Sequence, residues 1–421
     1  MNEARSVTGS EPGGARQVVR FLLSELKPKG PLLTPFNLVS VPIILAAAVI
    51  LWFRFTRGLA SVTNLSQDVP WGLWIGFDVV TGVAFAGGAY VITFLVYILG
   101  REKYHPIVRV TVLNGFLAYV FYAGALLLDL GRPWKVINPI IGNSFGVSSV
   151  LFLVAWHFML YMMAAFIEFS PAVAEWLGFR KLRKILGRLT VGAVIFGVTL
   201  SMLHQSGLGA LYLMAKGKIH PLWYSEFIPI YFFVSSIFAG LSLVIFEGTI
   251  SRRVFATRMS EEHHAQHDDI VLGLSKICAG TMFAYLFLKV LDLVHGQKLD
   301  LLTTPMGQWY LLEILGLVLV PMILFTEAVR WRSQALCKAG AALALLGILM
   351  NRLNVSVIGF QWTAPVRYVP TAWEVIVTLG VVFSEIWMFR WVVNRMPVLS
   401  APPAWAREEV PAANGARPEA A

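Results

Sequence analysis

Between residues 35 and 395 the chain is written in long apolar stretches broken by short polar segments. Each stretch reaches the length of about 20 residues that a helix needs to cross a bilayer. The pattern predicts ten spans, near 36–56, 71–99, 108–130, 147–169, 188–206, 226–249, 270–294, 309–329, 336–358 and 372–394. Residues 1–34 form a polar tail in which Val18, Val19, Phe21, Leu22, Leu23 and Leu26 lie opposite Arg16 and Arg20, the pattern of a helix lying on a membrane surface. No short apolar core with a small-residue cleavage site precedes it, so no removable signal peptide is expected. From residue 396 to 421 the chain is rich in Pro and Ala and is expected to be a disordered tail.

Composition agrees with the pattern and excludes a soluble globular protein: 57% of residues are hydrophobic, 14% are charged, and the mean hydropathy is +0.68. The net charge of +10 matters through its distribution. Of the 34 Lys and Arg, 23 fall on one alternate set of loops and tails and nine on the other. That bias predicts that both termini are cytoplasmic, and it argues against nucleic acid as a partner. Cys278 and Cys337 lie inside apolar stretches and cannot hold an iron–sulfur cluster or a disulfide framework. No metal site is expected.

Polar residues inside the spans gather in the outward half. They are Asp78, Asp129, His204, Lys289, Asp292, Glu313, Asn351, Arg352 and Glu374. Ionisable groups at such depth are costly and are usually paired or functional. Asp78 has no partner near it in sequence and stands out as a candidate for function. Asp129 reads first as a helix end salt-linked to Arg132, ahead of a chemical role, and Lys289 with Asp292 reads equally as a mutually satisfied pair at i, i+3. The inward carboxylates Glu168, Glu247, Glu327 and Glu385 read as snorkelling or salt-linked to loop arginines. Between the halves lie only weak polar steps such as Tyr90, Thr93, His157 and Tyr161. Gly76, Gly82, Gly87 and Gly88 read as positions of close helix packing.

His204-Gln205-Ser206 closes the fifth span ahead of two glycines and an aromatic-rich loop. An imidazole, an amide and a hydroxyl at an interface suit a lipophilic head-group that exchanges protons, although a capped helix end explains them as well. Bis-histidine haem needs two imidazoles at matching depth. With His157 mid-span and His204 at a span end, no such pair is expected, and the chain reads as haem-free.

Several motifs together resemble one family. Pro70-Trp71-Gly72-Leu73-Trp74-Ile75-Gly76-Phe77-Asp78, Tyr104-His105-Pro106-Ile107-Val108-Arg109, His204-Gln205-Ser206-Gly207-Leu208-Gly209, His220-Pro221-Leu222-Trp223 and Ile245-Phe246-Glu247-Gly248 are similar to the NrfD/HybB membrane subunits, over roughly residues 35–395. The resemblance implies an all-α integral membrane protein with two four-helix bundles and two peripheral helices. It also implies no redox centre in the chain and a menaquinone site near the periplasmic face. Trp74, Asp78, His204 and Gln205 would border the quinone, with Asp129 close by; Lys289, Asp292, Glu313 and Arg352 form a second polar cluster. The implied partners are a periplasmic iron–sulfur subunit with four clusters and, behind it, a catalytic subunit of multihaem cytochrome c, molybdopterin-like or hydrogenase type, besides membrane lipid. Some relatives carry two adjacent acids at the start of the last span; here Glu374 is followed by Val375.

The expected function is therefore quinone reduction within a respiratory complex, with His204 and Asp78 supplying protons or hydrogen bonds; quinol oxidation would use the same parts, and protons drawn from the cytoplasm would let turnover store a membrane potential. Two other classes compete. A secondary transporter would show broken helices near the midplane, whereas Gly and Pro here sit mostly at helix ends. A purely structural anchor would hold its partner without binding quinone.

Overall fold

The computed structural model describes residues 15–67, 69–141 and 146–407. A surface helix α1 (Ala15–Glu25) precedes ten helices long and apolar enough to cross a membrane. These are α2 (Pro35–Arg57), α3 (Trp74–Ile98), α4 (Glu102–Asp129), α5 (Val150–Leu177), α6 (Arg180–Ala215), α7 (Ile228–Val254), α8 (His264–His295), α9 (Pro305–Arg330), α10 (Gln334–Ile358) and α11 (Ala372–Val393). Among the described residues the only extended pairing is an isolated bridge between Ile219 and Phe360.

Packing divides the spans as the resemblance implies. Helices α3–α6 form one four-helix bundle and α7–α10 a second, while α2 and α11 pair with each other and lean on α3 and α4. The bundles meet chiefly where α7 crosses α3. The backbones touch there, because a Cβ on Gly240 would come within 1.8 Å of Gly88 N, so only glycines permit the approach. Tyr90 and Ser236 hydrogen-bond across the same seam at 2.9 Å.

Two expectations change. Helix α6 does not stop at Ser206 but runs through Gly207 and Gly209 to Ala215, so His204 lies about 16 Å inside it by the helical rise. Gly209 is there for contact: a Cβ would meet Ile228 O at 2.8 Å where α7 begins. Met396, Val398, Leu399 and Ala406, expected in a disordered tail, are packed instead. Val398 and Leu399 are 2% and 3% exposed, and Leu399 O accepts from Ser260 N at 3.1 Å. Residues 408–421 of that tail, and residues 1–14, lie outside the described residues.

One feature escaped the hydropathy pattern. Five stretches are wound as π-helix: Trp74–Gly82, Phe94–Ile98, Tyr119–Ala123, Leu312–Leu319 and Asn354–Ile358. All but Phe94–Ile98 lie in the halves of their helices nearer the less basic end. They carry Asp78, Tyr119, Glu313 and Asn354. Such wider turns free backbone groups and re-aim side chains, and they recur at functional sites.

Candidate functional site

The expected site residues fall into three groups, all in the half of the bundle nearer the less basic end. The first lies where α3 meets α2, α4 and α11. Asp78 is fully buried, four residues into α3, and neither of its carboxyl oxygens has a hydrogen-bond partner. Asp129 at the end of α4 and Thr378 on α11 are the polar groups that act on it, and the Thr378 hydroxyl is itself unpartnered. Trp74, one turn before Asp78, is 1% exposed and packs with Ala47, Ile50, Val62 and Val377. Its indole N–H donates to Glu374 O at 3.1 Å, which leaves the ring as an apolar wall.

The salt link from Asp129 to Arg132 is not formed among the described residues. Arg54 of α2 comes in its place, donating to Leu128 O at 2.6 Å and to Leu130 O, with Asp129 beside it. Glu374 is a staple rather than half of an acid pair. It closes a capping box with Thr371, accepts from Asn64 N at 3.3 Å and receives the Tyr368 hydroxyl. Tyr368 in turn accepts from Leu73 N at 2.9 Å, so loop 359–371 is tied over the start of α3.

The second group lies inside the first bundle. His204 is 2% exposed, its ring edge-on to Tyr119 at 5.3 Å and to Phe158 at 6.1 Å. Gln205 Nε2 donates to Val83 O at 2.8 Å, which fixes the amide against α3. His204 Nδ1, Gln205 Oε1, Ser201 Oγ and Tyr119 Oη are all buried without a hydrogen-bond partner. No hydrogen bond or ion pair joins this group to Asp78 among the described residues. Tyr119 and Ser201 were missed because an isolated Tyr or Ser in an apolar run carries no signal until the fold sets it beside His204.

His157 and His204 are not separated in depth as expected. Phe158, next to His157, touches His204, so the two histidines lie at similar depth.

The third group fills the second bundle. Glu313 is fully buried and accepts from Trp223 Nε1 at 2.7 Å and from Asn351 and Asn354 Nδ2 at 2.6 Å each. Arg352 donates to Ser235 Oγ at 2.7 Å and to Asn351 Oδ1 at 3.0 Å, and lies 3.6 Å over the Phe232 ring. Lys289 and Asp292 do not pair. The chain turns after α8 and brings Lys298 to Asp292 at 2.8 Å, and Ser225 adds a hydrogen bond at 2.7 Å. Lys289 points instead at the rings of Tyr231, 4.2 Å away, and Tyr285, 5.6 Å away.

Among the inward carboxylates only Glu327 fits the salt-linked reading, with Arg330 at 3.8 Å. Glu247 is hydrogen-bonded to Asn114 and to Ser251, and neither Glu168 nor Glu385 makes an ion pair among the described residues. Outside the spans, His220 anchors the loop before α7. Its Nδ1 accepts from Leu222 N at 3.3 Å and its backbone N–H donates to Gly359 O at 2.8 Å. Burial holds this imidazole below its ordinary pKa.

Among the described residues no three His, Cys, Asp or Glu are grouped to hold a metal ion. The model of the family "Polysulphide reductase, NrfD" matches residues 61–364, which takes in Trp74, Asp78, Asp129, His204, Gln205, Lys289, Asp292, Glu313 and Arg352 but not Arg54, Glu374 or Thr378. The chain belongs to the NrfD family. A protein of Nitratidesulfovibrio vulgaris is 41% identical over 370 residues, covering 87% of this chain and 95% of its own. The probable Ni/Fe-hydrogenase 2 b-type cytochrome subunit of Escherichia coli is 30% identical, covering 85% and 91%. The integral membrane subunit of menaquinone reductase from N. vulgaris is 26% identical, covering 70% and 74%. Within this NrfD chain the motifs at residues 70–78 and 204–209 supply the first two groups, and Trp223 of the motif at 220–223 reaches into the third.

Proposed function

We propose that this NrfD-family chain is the quinone-binding membrane subunit of a respiratory oxidoreductase complex in a bacterial inner membrane, with both termini cytoplasmic. The observation that carries the reading is the set of buried, unpartnered polar atoms on His204, Gln205 and Asp78, within motifs shared with the family. Buried polar groups are nearly always satisfied, so capacity left over in one half of the protein suits a ligand that brings its own hydrogen-bonding groups. A menaquinone head-group offers two carbonyl oxygens on an apolar ring. The menaquinone reductase relative supports that substrate. Its ring lies near the less basic, periplasmic end, where a four-cluster iron–sulfur partner delivers electrons.

The protein's own part is to hold and to protonate. Trp74 walls the site, Gln205 orients through its bond to Val83, and Asp78 and His204 pass protons to the substrate oxygens. Protons drawn from the cytoplasm against electrons from outside would store a membrane potential.

The name of the E. coli relative implies a haem, and the residues here do not fit one. His204 and His157 lie at similar depth, but Tyr119 and Phe158 pack edge-on against the His204 ring, and a porphyrin ligated there would have to displace them. We therefore take quinone to receive electrons directly from the partner.

The test is to purify the intact complex, extract its lipids and measure quinone-dependent turnover. Bound menaquinone, with cluster signals from the partner subunit, is expected. A complex with neither bound quinone nor quinone-dependent turnover would sink the reading in favour of a structural anchor.

A further inference from the structure

The reading above leaves open how protons reach a site buried on the far side of the molecule. One stripe of α6 supplies the route. Gly197, Ser201 and His204 follow one another at helical spacing on the face turned into the first bundle, and Ser201 is fully buried. Against Ser201 stand two phenols, Tyr119 of α4 and Tyr161 of α5, whose ring centroids are 4.4 Å apart. Tyr119 reaches His204 at 5.3 Å. On the other side of Tyr161, Glu168 and the Tyr161 ring both lie over Gly197. A Cβ there would meet Glu168 Oε1 at 2.9 Å and Tyr161 Cε2 at 3.9 Å.

Glu168 forms the inner wall of a cavity of about 730 Å³ that opens at the basic end, between α4, α5, α6 and the segment around Leu399. Arg109 and Arg183 also line it, but their charge is spent on Glu175, at 2.6 and 3.1 Å. Glu168 has no hydrogen bond or ion pair among the described residues, which a merely structural carboxylate at that depth would need. A close helix contact alone would explain Gly197, since Ala164 Cβ is also near it. It does not explain a carboxylate that lines a cavity and is followed by Tyr161 and then by the unpartnered hydroxyls of Ser201 and Tyr119.

We infer that Glu168 is the proton entry of the first bundle, taking protons from the basic-end cavity and passing them by way of Tyr161, Ser201 and Tyr119 to His204. The inference rests on the quinone reading. Each hydroxyl gives up one proton as it accepts another, and Glu168 is reprotonated from water in the cavity. Two protons so delivered, with two electrons from the iron–sulfur partner, convert one quinone to its quinol. Glu168 never touches the substrate and acts through the file.

The experiment uses the whole complex in sealed vesicles with a short-chain menaquinone. Reduced viologen donates electrons on the side of the iron–sulfur partner, and a pH dye reports the side of the basic end. Glu168→Gln should keep its bound quinone but lose turnover and basic-side proton uptake together, by at least ~10-fold, the lower range of what a positioned acid or base supplies. Glu168→Asp should restore much of both, which a packing role would not predict. Tyr161→Phe keeps shape and provides a second readout should the Gln variant fail to assemble; it should slow uptake as well. An assembled Glu168→Gln or Tyr161→Phe complex with wild-type turnover and uptake overturns the route and leaves the quinone reading standing. A wild-type complex without quinone overturns that reading first.

Discussion

The indole N–H of Trp223, in the loop before α7, donates to Glu313 Oε2 on α9 at 2.7 Å. With Asn351 and Asn354 it gives this one carboxylate three N–H donors and no proton of its own to place. Glu313→Gln should therefore be costly despite its matched size. An amide turns one accepting oxygen into an NH₂ group that faces the donors, and an unmade buried hydrogen bond costs about 1–3 kcal/mol. The expected result is a clear fall in the thermal midpoint of the purified complex. An unchanged midpoint would mean that the three donors find other acceptors.

His204 offers a cleaner separation of packing from chemistry. His204→Phe keeps a ring between Tyr119 and Phe158, so assembly and thermal midpoint should hold. Quinone turnover should fall by about 100-fold, the size of a lost proton-transfer group. Turnover at the wild-type rate in an assembled variant would leave His204 as a packed core ring.

The ten spans were legible because a bilayer demands long apolar runs, and 35 to 395 supplies little else. The end of α6 was not. Gly207 and Gly209 read as a break, yet a helical glycine costs only about 1 kcal/mol, and the contact of Gly209 with the start of α7 outweighs it. The candidate acids were found by their depth, but their partners were hidden. Asp292 is neutralised by Lys298, which follows the turn after α8, and Asp129 has Arg54 beside it from a helix more than seventy residues earlier. Spacing along one helix cannot show either. Nor could it show that α3 is wound as a π-helix from Trp74 to Gly82, which sets the direction of Asp78.

The loop at His220 should loosen in acid. Its imidazole is held below its ordinary value by burial, so the folded loop binds fewer protons than the unfolded one. The stability it contributes is present above about pH 6.5 and is lost as pH falls through the lower folded value. Protonation also removes the Nδ1 acceptor used by Leu222 N. Amide protection at Ile219, His220, Leu222, Trp223, Gly359 and Phe360, referred to the intrinsic exchange rate at each pH, should fall between about pH 7 and pH 5. In His220→Gln that pH dependence should vanish; if it persists unchanged, another group carries it.

The polypeptide separated from its partners should show no haem absorbance. The closed ring packing around His204 makes this a structural expectation rather than one drawn from helix depth. Stoichiometric b-type haem in the isolated chain would overturn it and would require Tyr119 and Phe158 to move apart.

Asp78 is fully buried, and neither carboxyl oxygen has a partner. If it were a structural salt-bridge acid, Asp78→Asn would strand a cation, and the thermal midpoint would drop by what a broken buried pair costs, about 3–5 kcal/mol. Among the described residues no cation pairs with it, and Arg132, the partner that a salt bridge would have used, is not engaged. The Asn variant should therefore be as stable as the wild type or more so, because it removes a carboxyl group from an apolar setting that disfavours its charge. It keeps the shape and can still donate and accept hydrogen bonds, so menaquinone should stay bound. What it cannot do is release and regain a proton, so turnover should fall by about 100-fold while quinone content holds. Stability, quinone content and turnover measured on one preparation separate the roles. A variant that is less stable yet fully active per assembled complex would remove Asp78 from proton supply and make it a structural acid after all.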